Sequence, residues 1–205
     1  MLLPRSRRMR LALSGKFYSG KSIAAEILAR EFGFVRLSLA DELKAMAAEI
    51  VQFLQEHGGL EQAGVLLDKT TPLGRQWLQW LGTDLIRKRD ADFWVRLLLR
   101  KLRTMQRDNV VVDDVRFRNE AYALRQVGFK LIRIETSEAT RRRRAQALGA
   151  VLVPEREGHP SETDLDEFLF WDAILSGDEP IHDFRETVRV LVKELSAGGK
   201  ATAQT

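Results

Sequence analysis

The segment Met9–Ser22, MRLALSGKFYSGKS, decides the reading of this chain. Leu11-Ala12-Leu13 is a short apolar run of strand character. Gly15-Lys16-Phe17-Tyr18-Ser19-Gly20-Lys21-Ser22 behind it matches the phosphate-cradling pattern G-x-x-x-x-G-K-[ST] without a mismatch. Glycines let the backbone turn with its N–H groups inward, where they and the start of the next helix meet phosphate oxygens. Lys21 then reaches the β- and γ-phosphates of a nucleotide, and the Ser22 hydroxyl ligates Mg²⁺. Ile23–Phe32 is rich in helix formers, places Ile23, Ile27 and Leu28 on one face and stops at Gly33. Strand, loop and helix therefore follow in the order this motif requires.

Downstream, Phe34–Leu39 alternates as a second strand, and Ala40 to about Glu56 is an amphipathic helix ended by Gly58-Gly59. Leu60–Thr71 has weak periodicity and is expected to be a mobile connection with one helical turn. Thr71-Pro72 is a threonine N-cap and first-turn proline, opening a helix expected to break near Gly82. Arg87–Arg107 is largely helical and basic. Asn109–Asp114 is a β-branched run ending in acid, the pattern of a buried parallel strand whose carboxyl end supplies an active-site carboxylate. Since side chains alternate along a strand, only one of Asp113 and Asp114 faces the cleft. A helix over Arg118–Gln126, a strand over Lys130–Ile134 and a capped helix containing Arg141–Arg144 come next. An irregular charged stretch, Pro154–Pro160, then precedes a fifth strand at Trp171–Leu175 and a closing helix over Ile181–Leu195.

Alternating strands and helices call for an α/β fold with a five-stranded parallel sheet covered on both faces. No repeat or long linker divides the chain, so one domain over residues 9–195 is expected, with flexible termini at 1–8 and 196–205. At 205 residues a sizeable core is available, and 44 % hydrophobic with 30 % charged content is ordinary for a soluble globular chain. The formal charge of +4 suits anionic ligands. Absence of cysteine excludes disulfides, thiolate zinc sites and a cysteine nucleophile. No stretch approaches a transmembrane span, and a cytoplasmic setting is expected.

These residues resemble the P-loop nucleoside monophosphate kinases, most closely the deoxynucleoside monophosphate kinases encoded by bacteriophages. The likeness rests on five segments. They are Ser14-Gly15-Lys16-x-x-Ser19-Gly20-Lys21, Leu39-Ala40-Asp41-x-Leu43-Lys44, Arg75-Gln76-x-Leu78-Gln79-x-Leu81-Gly82-Thr83-Asp84 with Trp94-Val95 following, Asp114-Val115-Arg116-Phe117-x-Asn119-Glu120 and His159-Pro160-Ser161-Glu162. The resemblance implies a P-loop three-layer fold and ATP-dependent phosphorylation of a (deoxy)nucleoside monophosphate. ATP phosphates would lie on Gly15, Lys16, Ser19, Gly20, Lys21 and Ser22, with Mg²⁺ near Ser22 and Asp114. The acceptor would meet Asp41, Lys44, Arg75, Trp80, Asp84, Arg116 and Glu120 within a mobile region of about 40–107. A lid over about 137–162 would bring arginines, Arg141 and Arg142 foremost, over the transferring group beside Lys21, Arg116 and Asp114. Tyr18 and Ser176 depart from the family pattern, which expects a basic residue and an asparagine.

Phosphoryl transfer needs positioning and charge neutralisation more than covalent chemistry, so a concentration of Arg, Lys and Mg²⁺ is the expected site. Guanidinium forks suit Arg75 and Arg116 to an acceptor phosphate, against ion pairs with Asp84 or Glu120. Trp77, Trp80 and Trp94 either stack on a base or fill a core. Four consecutive helical arginines point in different directions, so one or two at most share a phosphate. A kinase of the same fold acting on dephospho-CoA or phosphomevalonate is the nearest alternative. A nucleotide-regulated nucleic-acid-binding protein is the alternative from another class, and no helix-turn-helix, zinc or RNP signature supports it. Small-molecule nucleotides are the expected partners, with no nucleic acid or membrane, in a monomer or homodimer.

Overall fold

The computed structural model describes residues 8–68, 71–105, 109–150 and 158–197. The expected disordered termini fall almost wholly outside these residues, as do positions 154–157 of the charged stretch before Pro160. The chain separates into two compact units, one of residues up to Leu37 and from 106 onward, the other Ser38–Met105.

The first unit is built on five parallel strands: β1 (Arg10–Ser14), β2 (Val35–Leu37), β3 (Val110–Val115), β4 (Lys130–Glu135) and β5 (Ala173–Ser176), in the order β2-β3-β1-β4-β5. The β-branched run Val110–Val112 is fully buried between β1 and β2, which is why it reads as continuous hydrophobicity rather than alternation. β1 pairs with β3 through Leu11 and Val111 and with β4 through Leu11 and Lys130. Sequence order reverses at β1, and ligands of open α/β sheets bind outside the carboxyl ends of strands at such a reversal. The loop after Ser14 leaves the sheet there.

α1 (Lys21–Phe32) and the closing helix α7 (Ile181–Ser196) cover one face. Ala24, Ala25 and Leu28 share a core with Leu11, Leu13, Val111, Ile132, Phe184, Val188 and Leu191. α5 (Arg118–Gln126) buries Ala121 and Leu124 outside that cluster, and α6 (Glu138–Ala147) is capped by Ser137, whose side chain accepts from Thr140 N. A single helical turn spans Pro160–Thr163.

The second unit holds α2 (Ala40–His57), a 3₁₀ segment at Glu61–Leu67, α3 (Pro72–Gln79) and α4 (Phe93–Thr104). Thr71 Oγ1 accepts from Gly74 N at 3.0 Å, confirming the threonine cap. The segment expected as a loose connection forms seven 3₁₀ residues. The expected break at Gly82 does not occur. The chain continues from Trp80 to Arg87 in wider π-helical turns. Trp94 Nε1 donates to the Gly82 carbonyl at 3.0 Å, and a Cβ at position 82 would lie 2.7 Å from Leu43 Cδ2. Gly82 thus serves close packing rather than termination, and Trp94, buried, belongs to the core. Among the described residues no helix is long and apolar enough to cross a membrane.

Candidate functional site

Between β1 and α1 the backbone takes left-handed values at Gly15 (φ 151°), Tyr18 (φ 61°) and Gly20 (φ 109°). A Cβ on Gly15 would meet Ile134 O at 2.5 Å and Ser19 Oγ at 2.6 Å, so only glycine fits there. Tyr18 is the one non-glycine residue among those described with positive φ, a strained value of the kind held where surrounding structure enforces it. Gly20 precedes α1 without a side-chain cap, leaving first-turn N–H groups for an anion.

Lys21 is buried, and its ammonium donates to Gly15 O at 2.6 Å and Lys16 O at 2.7 Å. Desolvation lowers its pKa from 10.5 to about 7. The Arg116 and Arg133 cations push the same way, against Glu162 and Asp114. A desolvated ammonium beside two guanidiniums is a strong attractor for polyphosphate.

Arg116 stands just past β3. Its backbone N–H donates to Glu120 Oε2 at 2.8 Å, its guanidinium pairs with Glu162, and it lies 4.7 Å over the Phe17 ring. Glu120 also accepts from Phe117 N at 3.0 Å and is 1 % exposed. Its Oε2 thus ties down backbone amides at the start of α5. Asp113 is buried and pairs with Arg36, whose Nε lies 2.6 Å away, whereas Asp114 acts electrostatically on Lys21.

The arginine run fans out as helix geometry demands. Arg141 is buried, Arg142 is exposed and paired with Glu138 at 2.6 Å, and Arg143 reaches Thr140 Oγ1 at 3.4 Å. Arg144 reaches the phosphate loop, donating to Tyr18 O (3.2 Å) and Ser19 O (3.3 Å), and it also donates to Gly177 O (2.6 Å). With Gly20, Ile23, Arg143, Pro180 and Phe184 it lines a cavity of about 300 Å³. Asp178 at its rim accepts from Ser137 Oγ at 2.6 Å, and bonds from Ser137 and Thr140 hold its carboxyl below the usual range.

In the other unit, Asp41 accepts from Ser38 N at 3.0 Å at the start of α2, with Lys44 Nζ 3.6 Å away. Asp84 pairs with Lys88 at 2.8 Å. Trp80 is half exposed and stacked on Trp77, centroids 5.5 Å apart, while Arg75 on α3 is half-buried.

Sequence reasoning gave no role to Arg133 and Asp166, held Arg144 only as one of a run of four, and quoted Glu162 only within a motif. Arg133 bridges Ser14 Oγ (3.4 Å) and Asp166 (3.1 Å), and Asp166 also holds Lys16 at 2.9 Å. The available signal was an arginine interrupting the apolar strand Leu131-Ile132-Arg133-Ile134.

The residues fit nucleotide phosphates and a divalent cation. The Gly15 cradle excludes any Cβ, and buried Ser19 Oγ has no hydrogen-bond partner among the described residues. Ser22 and Asp114 are hard oxygen donors of the type Mg²⁺ takes.

The deoxynucleotide monophosphate kinase family model matches residues 67–147. A protein of Acanthamoeba polyphaga mimivirus named "Putative deoxynucleotide monophosphate kinase" is 31 % identical over 192 residues, covering 85 % of this chain and 91 % of that protein. Two solved structures share the fold. A gluconokinase from Sinorhizobium meliloti has a TM-score of 0.55 at 18 % identity, covering 94 % of this chain and 97 % of its own. A dephospho-CoA kinase from Campylobacter jejuni has a TM-score of 0.54 at 16 % identity, covering 93 % and 99 %. With the phosphate loop, the parallel sheet and a viral relative matched over nearly its whole length, this chain belongs to the deoxynucleotide monophosphate kinase family.

Proposed function

We propose that the chain transfers the γ-phosphoryl group of ATP to a deoxynucleoside monophosphate, releasing ADP and the deoxynucleoside diphosphate. The observation that carries this reading is the set of cations on the phosphate loop: Lys21 bonded to Gly15 O and Lys16 O, Arg116 over the Phe17 ring, and Arg133 bonded to Ser14 Oγ just before it. Loop N–H groups and Lys21 hold the donor phosphates, while the cavity beside Gly20 and Phe184 takes the donor base. Arg116 takes the acceptor phosphate through the part of its fork not engaged by Glu162. Ser22 and Asp114 would hold Mg²⁺, which would supply positive charge against the donor phosphates. No side-chain nucleophile is required, because the acceptor phosphate oxygen attacks and these cations stabilise the charge that spreads over the transferring group.

An ADP-release assay with ATP and Mg²⁺ across the common deoxynucleoside and nucleoside monophosphates tests the proposal. Turnover with at least one deoxynucleoside monophosphate is expected. Phosphorylation of dephospho-CoA, with none of any monophosphate, would replace it.

A further inference from the structure

Glu162 is a carboxylate where a polyphosphate site has least use for one. Its side chain is 2 % exposed, a burial that costs several kcal/mol for an ion unless it is paired and hydrogen-bonded. Both oxygens are engaged, and by different parts of the site. Oε2 accepts from Phe17 N, inside the phosphate loop, at 2.8 Å. Oε1 pairs with Arg116 Nη1, on the residue that follows β3. The carboxylate is itself fixed in place. It sits on the turn Pro160–Thr163, where His159 Nδ1 accepts from Ser161 N at 3.2 Å and Glu162 N donates to His159 O at 2.8 Å.

Arg116 is consequently held on two sides, by Glu162 at one nitrogen and by the Phe17 ring beneath its plane at 4.7 Å. Among the described residues its Nε and Nη2 have no hydrogen-bond partner, so a paired donor edge stays available to a phosphate. An arginine left to itself samples many rotamers, and fixing it beforehand lowers the cost of binding. Glu162 also takes the Phe17 amide, leaving the amides at Gly20–Ser22 to the donor phosphates.

We propose that Glu162 is a positioning residue that ties the phosphate loop to Arg116 and sets the guanidinium for the acceptor phosphate. This rests on Arg116 being the acceptor-phosphate arginine, and the test separates the two ideas. Glu162→Gln keeps the shape and one acceptor but loses the charge that holds both partners. It is expected to lower kcat/KM for the acceptor by ~10–10²-fold, the range for a displaced catalytic constellation. In an Arg116→Ala background the same substitution is expected to cost less than ~3-fold, because the two residues act as a unit. Multiplying effects, or wild-type kinetics in Glu162→Gln, overturn the positioning role. Wild-type kinetics in Arg116→Ala alone overturn the reading of Arg116, and this inference with it. Should Glu162→Gln not fold, Glu162→Asp retains the charge on a stem too short to span both partners. It is expected to fold and to raise the acceptor KM, and unchanged kinetics would overturn the proposal.

Discussion

The phosphate loop and the arginine run of α6 both invite a reading as phosphate binders, yet the structure treats them differently. In Gly15–Ser22 the backbone itself is specified, with left-handed residues at 15, 18 and 20 and a lysine buried against loop carbonyls. In Arg141–Arg144 only a charge is repeated, and helix geometry turns each residue about 100° from the last. One arginine is buried, one pairs with Glu138, one turns toward Thr140, and one grips the loop carbonyls. A motif that constrains backbone dihedrals carries its geometry with it. A run of identical side chains acquires roles only from what each one meets.

The largest expected effect lies on the loop side. Lys21→Ala should lower kcat by at least ~10²-fold, the scale for losing a preorganised donor at a developing charge, while circular dichroism reports an intact fold. Near-normal turnover would remove the contrast. The same residue predicts a pH effect. With its pKa lowered to about 7, Lys21 is largely neutral at pH 8 in the free loop, and a bound polyphosphate restores the ammonium. Nucleotide binding should therefore take up a proton at pH 8 and none near pH 5.5, measured by calorimetry in buffers of different ionisation enthalpy. For stability the sign is fixed as well. The folded chain holds fewer protons at Lys21 than the unfolded chain between pH about 7 and 10.5, so this residue's contribution falls as pH drops through that window. Lys21→Met should abolish both effects.

The paired carboxylates of β3 sharpen the comparison at intermediate magnitude. Asp114→Asn should reduce Mg²⁺-dependent turnover by ~10²-fold with little change in Tm. Asp113→Asn breaks the pair between buried Asp113 and the exposed Arg36 and should lower Tm with a smaller kinetic effect. The reverse ranking would move the metal role to Asp113. Smaller still, Arg144→Ala removes bonds to three carbonyls and should cost about 2 kcal/mol in chemical denaturation, with a loss in kcat of ~10-fold through a loosened loop. Arg142→Ala should be nearly silent, within ~0.5 kcal/mol and twofold in kcat, since exposed i,i+4 pairs contribute little. A severe loss at Arg142 would make the run catalytic in the way its sequence suggests.

Much of the fold was legible beforehand because its signals are local. Gly33 ends α1 with φ 67°, Thr71 and Ser137 cap their helices, and Val110–Val112 is buried as its β-branched composition requires. Gly82 misled because glycine usually marks an end, whereas here close packing against Leu43 and an acceptor for Trp94 use it inside a continuous helical stretch. Glu120, expected at the substrate, is buried and its Oε2 accepts from two backbone amides, a pairing no local pattern announces.

The sequence alone determined the phosphate loop and the parallel-sheet class, because each rests on residue types at fixed short spacing whose physics is complete within one turn or strand, and its motifs resembled one family. Only the tertiary structure decided which charges meet. Glu162 with Phe17 and Arg116, Arg144 with Tyr18 and Ser19, Arg133 with Asp166, and Arg36 with Asp113 join residues far apart in the chain. Such pairs leave no periodicity to read. They are fixed by strand order, by which face of a helix is turned inward, and by the rule that a buried ion must find its counterpart.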